Sequence, residues 1–356
     1  MDFELSPRAK DMRARLRRFM DDQPGTRLSH LDYAPLAEAM GRVPWATEVF
    51  NCNAPDSGNI ELLQQFASAA QRERWLGPLL RGDIRSCFAM SEPDVASSDP
   101  TQLQTRIAPD GDTLVVNGRK WFITGAAHPN CRLVVLLGVE EAAGADDPHR
   151  RHSIVLVPLD AAGLRVERNI PVLDHQALEG HCEIVLQGVR VPADHRLGEA
   201  GAGFAMAQAR LGPGRVHHAM RSIGQCELAL ELMCERALER RAFGQRIGDH
   251  ANVQDWIAWS RIEIDQARLL VLHAAWRMDH AGNADARIDA CAIKLVSARL
   301  QTQVLDRALR LLDGPDEVHL RSVARAELKR AKTHAGASAP YLRRWMPAPS
   351  AAQVQT

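Results

Sequence analysis

The chain has 356 residues, 46% of them hydrophobic and 25% charged, with 44 basic and 44 acidic side chains and no formal net charge. That length holds two or three domains, and the balanced charge excludes the one-signed field with which a protein grips nucleic acid or an anionic membrane surface. The seven cysteines are scattered, odd in number and never spaced as C-x-x-C. This excludes a disulfide framework and a zinc site, and no run is apolar enough for a signal core or a membrane span. A cytoplasmic protein without a metal is the expectation.

In chain order, Ser6-Pro7 suits a helix start, with Met12, Leu16 and Phe19 following at helical spacing over 6–21. Residues 31–42 and 60–80 also read as helices. From residue 84 the pattern changes to short β-branched runs. These are Leu114 to Gly118, with a turn at Asn117-Gly118, then Arg132 to Leu137, Ser153 to Val157, Leu164 to Val166 and Glu183 to Val191. Their spacing predicts a small sheet or barrel, with a polar loop over 142–151.

From Gly203 the periodicity is helical again. Ile223, Cys226, Leu230 and Met233 share one face of a helix over 215–240. Val253, Trp256, Ile257 and Ile264 do so over 252–279, and Ile288, Cys291, Leu295, Ala298 and Val304 or Leu305 over 285–311. The fold class is therefore α+β. A helical domain at 1–83 precedes a β domain at 84–198 and a bundle-like helical domain at 199–335, and the Ala/Pro/Ser-rich tail at 336–356 is expected to be poorly ordered.

Three stretches combine residue types suited to chemistry. Phe88-Ala89-Met90-Ser91-Glu92-Pro93, with Ser97, leads from a strand into a turn, where backbone N–H groups and hydroxyls can meet a flat polar heterocycle. Phe122 and Thr124, two apart in Lys120-Trp121-Phe122-Ile123-Thr124-Gly125, point to one face of a strand. Asp313 stands at a corner between two helices, before Gly314 and Pro315 at the start of the second. Each has a plainer reading as loop, core aromatic or turn residue. His217-His218 reads as a surface or interface pair at the start of a helix, not as a metal ligand.

Together with Val191-Pro192, Gly201-Ala202-Gly203-Phe204, Leu211, Arg215 and Arg240-Arg241-Ala242-Phe243-Gly244, these motifs resemble the acyl-CoA dehydrogenase family from residue 6 to 331. The likeness is greatest to its subgroup ending in L-A-D-G-P-D-E-V-H, here Leu311-Leu312-Asp313-Gly314-Pro315-Asp316-Glu317-Val318-His319. The resemblance implies a three-part helix, β-barrel and four-helix-bundle-like fold. It implies FAD contacts from Phe88, Met90, Ser91, Ser97, Phe122 and Thr124, and from Arg240 and Phe243 of a neighbouring subunit. Pro315 and Glu317 would lie at the helix start that meets the FAD phosphates. Ser97, Gly212, Arg215 and Gly314 would line the acyl-CoA site, and Asp313 would be the base, where most relatives have Glu. The implied partners are an acyl-CoA substrate, an electron-transfer flavoprotein and further copies of the chain in a homodimer or homotetramer.

The chain departs from that pattern. Relatives carry a Q-x-x-G-G-x-G segment and a further helix before the D-G-P-D-E-V-H corner, whereas here Asp306 to Arg310 runs straight into Leu311-Leu312-Asp313. Relatives also have more helical chain where this one has Asp22 to Leu31, and His250-Ala251 stands where many have Gln. The alternative expectation is a degenerate relative that binds acyl-CoA or a complete subunit without oxidising.

Overall fold

A computed structural model describes residues 28–140, 147–177, 179–311 and 316–333, with the backbone alone at 211–213 and 316–319. The predicted helix 6–21, the tail 336–356 and the Asp313–Pro315 corner lie outside the described residues. Among those described, helices α1 (His30–Gly41), α2 (Ala46–Val49), α3 (Asp56–Phe66), α4 (Ala69–Gln71) and α5 (Gly77–Arg81) precede a sheet, and helices α6 (Gly203–Glu239), α7 (Ala251–Asp285), α8 (Arg287–Leu309) and α9 (Asp316–Thr333) follow it. The predicted helix over 60–80 is in fact interrupted. Ser68 stops α3 and restarts the chain with a capping box to Gln71, and a π turn over Arg72–Leu76 leads into α5.

The central sheet has eight strands: β1 (Arg85–Ala89), β2 (Arg106–Asp110), β3 (Thr113–Thr124), β4 (Cys131–Glu140), β5 (His152–Pro158), β6 (Leu164–Asn169), β7 (His181–Pro192) and β8 (Arg196–Leu197). The order is β6-β7-β3-β2-β4-β5-β8, with β1 also pairing in parallel to β4. The near-continuous apolar run of β4 is explained by burial on both faces. Val134 and Leu136 join Cys87, Ile107, Leu114 and Ile184 in one core. Leu133, Val135 and Leu137 point the other way, onto Leu62, Leu63 and Leu79 of the preceding helices. β5 alternates likewise, with Val155 and Val157 in the first core and Ile154 and Leu156 in the second.

Asn117-Gly118 is not a hairpin turn. β3 runs through it with a register shift against β7 between Val116 and Gly118. The glycine is needed for close packing, because a Cβ there would overlap the Thr105 side chain, and Asn117 Oδ1 accepts from Gly188 N at 2.7 Å.

Contacts divide the chain into two compact units, Met1–Leu228 with Ile262–Gln301 and Ala229–Arg261 with Thr302–Thr356. In the first, α1 is capped by Ser29 and presents its N-terminal amides of His30 and Leu31 to the Asp279 carboxylate, both at 2.9 Å. α1 crosses α6 so closely that a Cβ at Gly224 would land on the Glu38 carbonyl. Arg268 of α7 ties Glu38, Glu227 and Asp265 together beside that crossing.

The predicted face of α6 is buried, including Ile223, Cys226, Leu230 and Met233. That of α8 is buried only at Val304. Ala290, Ile293, Ser297 and Leu300 face inward with it, while Ile288 and Leu295 are each 70% exposed and Cys291 and Ala298 are exposed too. His217 also departs from expectation. It lies inside α6, buried 4.4 Å from the Tyr33 ring, and burial with the nearby Arg221 charge holds its pKa down at about 3. Among the described residues no helix is long and apolar enough to cross a membrane.

In the second unit, β9 (Arg241–Ala242) and β10 (Gln245–Arg246) form a hairpin. α9 exposes every side chain described, from Leu320 to Thr333.

Candidate functional site

The first unit gathers Phe88, Met90, Ser91, Ser97, Phe122 and Thr124 where β1 ends and β3 bulges. β1 stays paired with β4 as far as Ala89 opposite Leu136. The chain then turns away as a loop, closed on itself by Glu92 N donating to Ser97 Oγ at 2.8 Å. Beside it β3 loses register with β7 between Lys120 and Ile123. This bulge puts Phe122 at a φ of 51°, in the left-handed region that a bulky side chain rarely occupies, and leaves the residue 46% exposed with its ring 4.9 Å from that of Trp121. Trp121 N donates to Ser91 O at 3.0 Å, so bulge and loop are joined. Beyond the bulge Ile123 is buried, and Thr124 stays half-exposed with its hydroxyl 2.9 Å from His181 Nδ1. Ser91 has no side-chain hydrogen bond among the described residues, and Ser97 keeps its proton to donate. An exposed aromatic face with hydroxyls about it suits a planar ring with polar edges.

Two groups that the sequence reading passed over organise this place. Lys120 is fully buried, and its Nζ donates to Met90 O at 2.9 Å, Leu137 O at 2.7 Å and Glu92 Oε1 at 2.8 Å. Burial pulls its pKa down to about 8. Glu92 is 3% exposed and also accepts from Gln104 N at 2.7 Å and Thr105 N at 2.9 Å. Burial pushes its carboxyl up, but the Lys120 charge and these donors outweigh that and hold it below the usual range. The signal in the sequence was parity: Leu114, Val116 and Lys120 share the inward register of β3.

The second missed group is Arg210 of α6. Its guanidinium lies 4.1 Å above the Phe88 ring and donates to Asn59 Oδ1 at 2.9 Å and Pro55 O at 3.2 Å. Burial lowers its pKa to about 10, so the charge persists at neutral pH. The loop before α3 is thereby fixed to Phe88. Asp56, buried below it, accepts from Ser86 N at 2.7 Å and Ser86 Oγ at 2.5 Å. Gly212 and Arg215 lie further along α6, where Arg215 Nη1 is 4.0 Å from Cys291 Sγ.

Arg240, Phe243 and Glu317 belong to the second unit. Phe243 and Gly244 form the two-residue turn of the β9–β10 hairpin, with φ of 53° and 85°. Positive φ at both positions is the geometry that Asn-Gly normally fills, so an aromatic here is retained against backbone preference. Phe243 is 70% exposed, with the Arg321 guanidinium 5.7 Å over its ring, and Arg240 is exposed beside it. Glu317 falls in the first turn of α9. Asp313, Gly314 and Pro315 lie outside the described residues. Among the described residues no three His, Cys, Asp or Glu side chains are grouped to hold a metal.

Family models for the acyl-CoA dehydrogenase middle domain and C-terminal domain match residues 87–189 and 201–314. FadE2 of Mycobacterium tuberculosis, assigned as an acyl-CoA dehydrogenase, is 47% identical over 355 residues, covering 93% of this chain and 86% of its own. Human acyl-CoA dehydrogenase family member 11 is 43% identical over 85% of this chain, which spans only 42% of that longer protein. A solved Mycobacterium abscessus structure, assigned likewise, superposes with a TM-score of 0.81 at 44% identity, over 92% of this chain and 88% of that one. With the helix–sheet–helix order and the joined loop and bulge already in place, these matches show that the chain belongs to the acyl-CoA dehydrogenase family.

Proposed function

We propose that the chain is an FAD-dependent dehydrogenase that converts an acyl-CoA thioester to its α,β-unsaturated form. The observation that carries this reading is the junction of the Met90–Ser97 loop with the Trp121–Phe122 bulge. There an aromatic ring is held exposed at an unfavourable backbone angle, near the hydroxyls of Ser91, Ser97 and Thr124. That donor set fits an isoalloxazine, whose faces are apolar and whose edges accept and donate hydrogen bonds. FAD, when bound, supplies the acceptor for the hydride leaving Cβ.

The protein's own residues do the rest. Phe88, Met90, Ser91, Phe122 and Thr124 hold the ring. Arg240 and Phe243 serve the FAD of a neighbouring subunit, and Pro315 and Glu317 stand at a helix start, where anions are favoured. Ser97, Gly212, Arg215 and Gly314 line the thioester site. Asp313 takes the proton from Cα, with its own N–H donating to the carbonyl oxygen as charge develops there. Residues 1–83, 84–198 and 199–335 are the three domains of this enzyme. Electrons leave to an electron-transfer flavoprotein, and the protein works in the cytoplasm as a homodimer or homotetramer. The exposed apolar stripes, Ile262, Leu269 and Trp276 on α7 and Ile288 and Leu295 on α8, support assembly.

A dye-coupled assay over acyl-CoA thioesters of graded chain length tests the reading. At least one should yield a product two hydrogens lighter, and no product from any thioester by the flavin-loaded protein overturns it. A second reading, a non-oxidising relative, has one observation behind it: residues 310–315 alone join α8 to α9. A base displaced by about an ångström can lose much of its rate.

Phe122→Asn separates stability from binding. Asn tolerates left-handed backbone, so the melting temperature should hold or rise. Flavin retention should weaken about tenfold, the loss of roughly 1.4 kcal/mol of ring contact. Equal loss of both would show Phe122 to be a packing residue.

A further inference from the structure

The parallel ladder of β1 and β4 ends abruptly at Ala89 opposite Leu136. The next rung would bring Met90 opposite Leu137. Instead the carbonyls of both residues are taken by one ammonium, Lys120 Nζ, at 2.9 and 2.7 Å. Its third bond, to Glu92 at 2.8 Å, reaches the loop that has just left the sheet. The same carboxylate closes the far side of that loop, Oε1 also accepting from Thr105 N and Oε2 from Gln104 N, and Thr105 O receives Val139 N at 2.8 Å to begin the pairing of β2 with β4. Lys120 immediately precedes the Trp121–Phe122 bulge, so one side chain fixes both the place where the loop departs and the place where β3 buckles. A buried ammonium with three acceptors is costly to assemble and hard to displace once assembled.

We propose that Lys120 is a positioning residue for the flavin face: its buried ammonium forces Met90–Ser97 out of the sheet and holds that loop in register with the Phe122 bulge. The flavin part of this statement rests on the dehydrogenase reading, while the loop-holding part stands without it. No bond is made or broken, and Lys120 acts only through Met90, Glu92 and the bulge.

The test uses the full chain without and with added FAD, as wild type, Lys120→Met and Lys120→Met/Glu92→Gln. The double variant removes both charges yet keeps one acceptor oxygen for the pair of amides Gln104 N and Thr105 N, so it restores part of the global stability that the single variant loses, read as the urea midpoint. Amide exchange is then measured by mass spectrometry on peptides covering residues 88–105 of the protein without FAD. The proposal expects exchange at least about tenfold faster in both variants, with peptides of α6 unchanged in the double variant. With FAD added, the resolved shoulder of the bound flavin's visible band should blur in the double variant despite its recovered midpoint. Wild-type exchange over 88–105 in a stable double variant overturns the proposal. So does a loop effect that vanishes whenever the urea midpoint recovers, since Lys120 would then be a core residue only. A wild type that takes up no flavin would count against the dehydrogenase reading and leave the exchange result to decide the role of Lys120.

Discussion

On the proposed reading, Asp313→Asn is expected to lower turnover by about a thousandfold and to leave flavin binding unchanged. A general base contributes roughly 10²–10⁴ in rate, and removing the Cα proton of a thioester is the step that most needs one. Asn has the size of Asp and leaves the backbone N–H at 313 in place, so hydrogen bonding to the thioester carbonyl survives while proton acceptance does not. Asp is one methylene shorter than the Glu of most relatives, and the connection from α8 to α9 is short as well. The two shortenings meet at the same carboxylate, which makes this substitution more decisive here than a family likeness alone would. Flavin content is measured beside the rate. Undiminished turnover at equal flavin content removes Asp313 from the mechanism.

Glu92→Ala unfolds the protein more readily, by about 3–5 kcal/mol in chemical denaturation. The substitution strands three donors at once, Lys120 Nζ and the amides of Gln104 and Thr105. Lys120 has an escape, because burial already brings its pKa to about 8, and without Glu92 it sheds its proton at neutral pH. At about 1.4 kcal/mol per pH unit that escape caps the charge penalty near 5 kcal/mol. The pair has a pH signature of defined sign. The Glu92 carboxyl is held below its ordinary range in the folded protein, so its contribution is complete above its unfolded pKa, roughly 4.3, and is lost as pH falls through the folded value. Acid sensitivity from this group is absent in Glu92→Ala. A loss well under 1 kcal/mol would show that the pair holds nothing together.

Much of the fold was legible because the relevant forces are local. The apolar runs at Arg132 to Leu137 and Ser153 to Val157 fall inside β4 and β5, and the Ile223 face of α6 is buried as its spacing predicts. What escaped depends on partners distant in the chain. Ile288, Cys291 and Leu295 have the spacing of a core seam, yet α8 buries the neighbouring stripe through Ile293 and Leu300. Periodicity gives a face and not what covers it. Asn117-Gly118 has the composition of a hairpin turn, but the crowding that demands glycine comes from Thr105, just before β2. The aromatic and hydroxyl at 122 and 124 were legible as a pair. The bulge that turns Phe122 outward was not, because the lysine that anchors it finds its carboxylate on a loop before β2. The motifs point to residues suited to facing a ligand, whereas the groups holding those residues in place carry no motif of their own.

The central claim, that this chain carries a working flavin site, is tested most directly by loading the purified protein with FAD, removing the excess by gel filtration and adding acyl-CoA without oxygen. The account predicts a yellow protein with about one FAD per chain whose visible band bleaches with at least one thioester. A protein that emerges colourless, however much FAD was supplied, contradicts it.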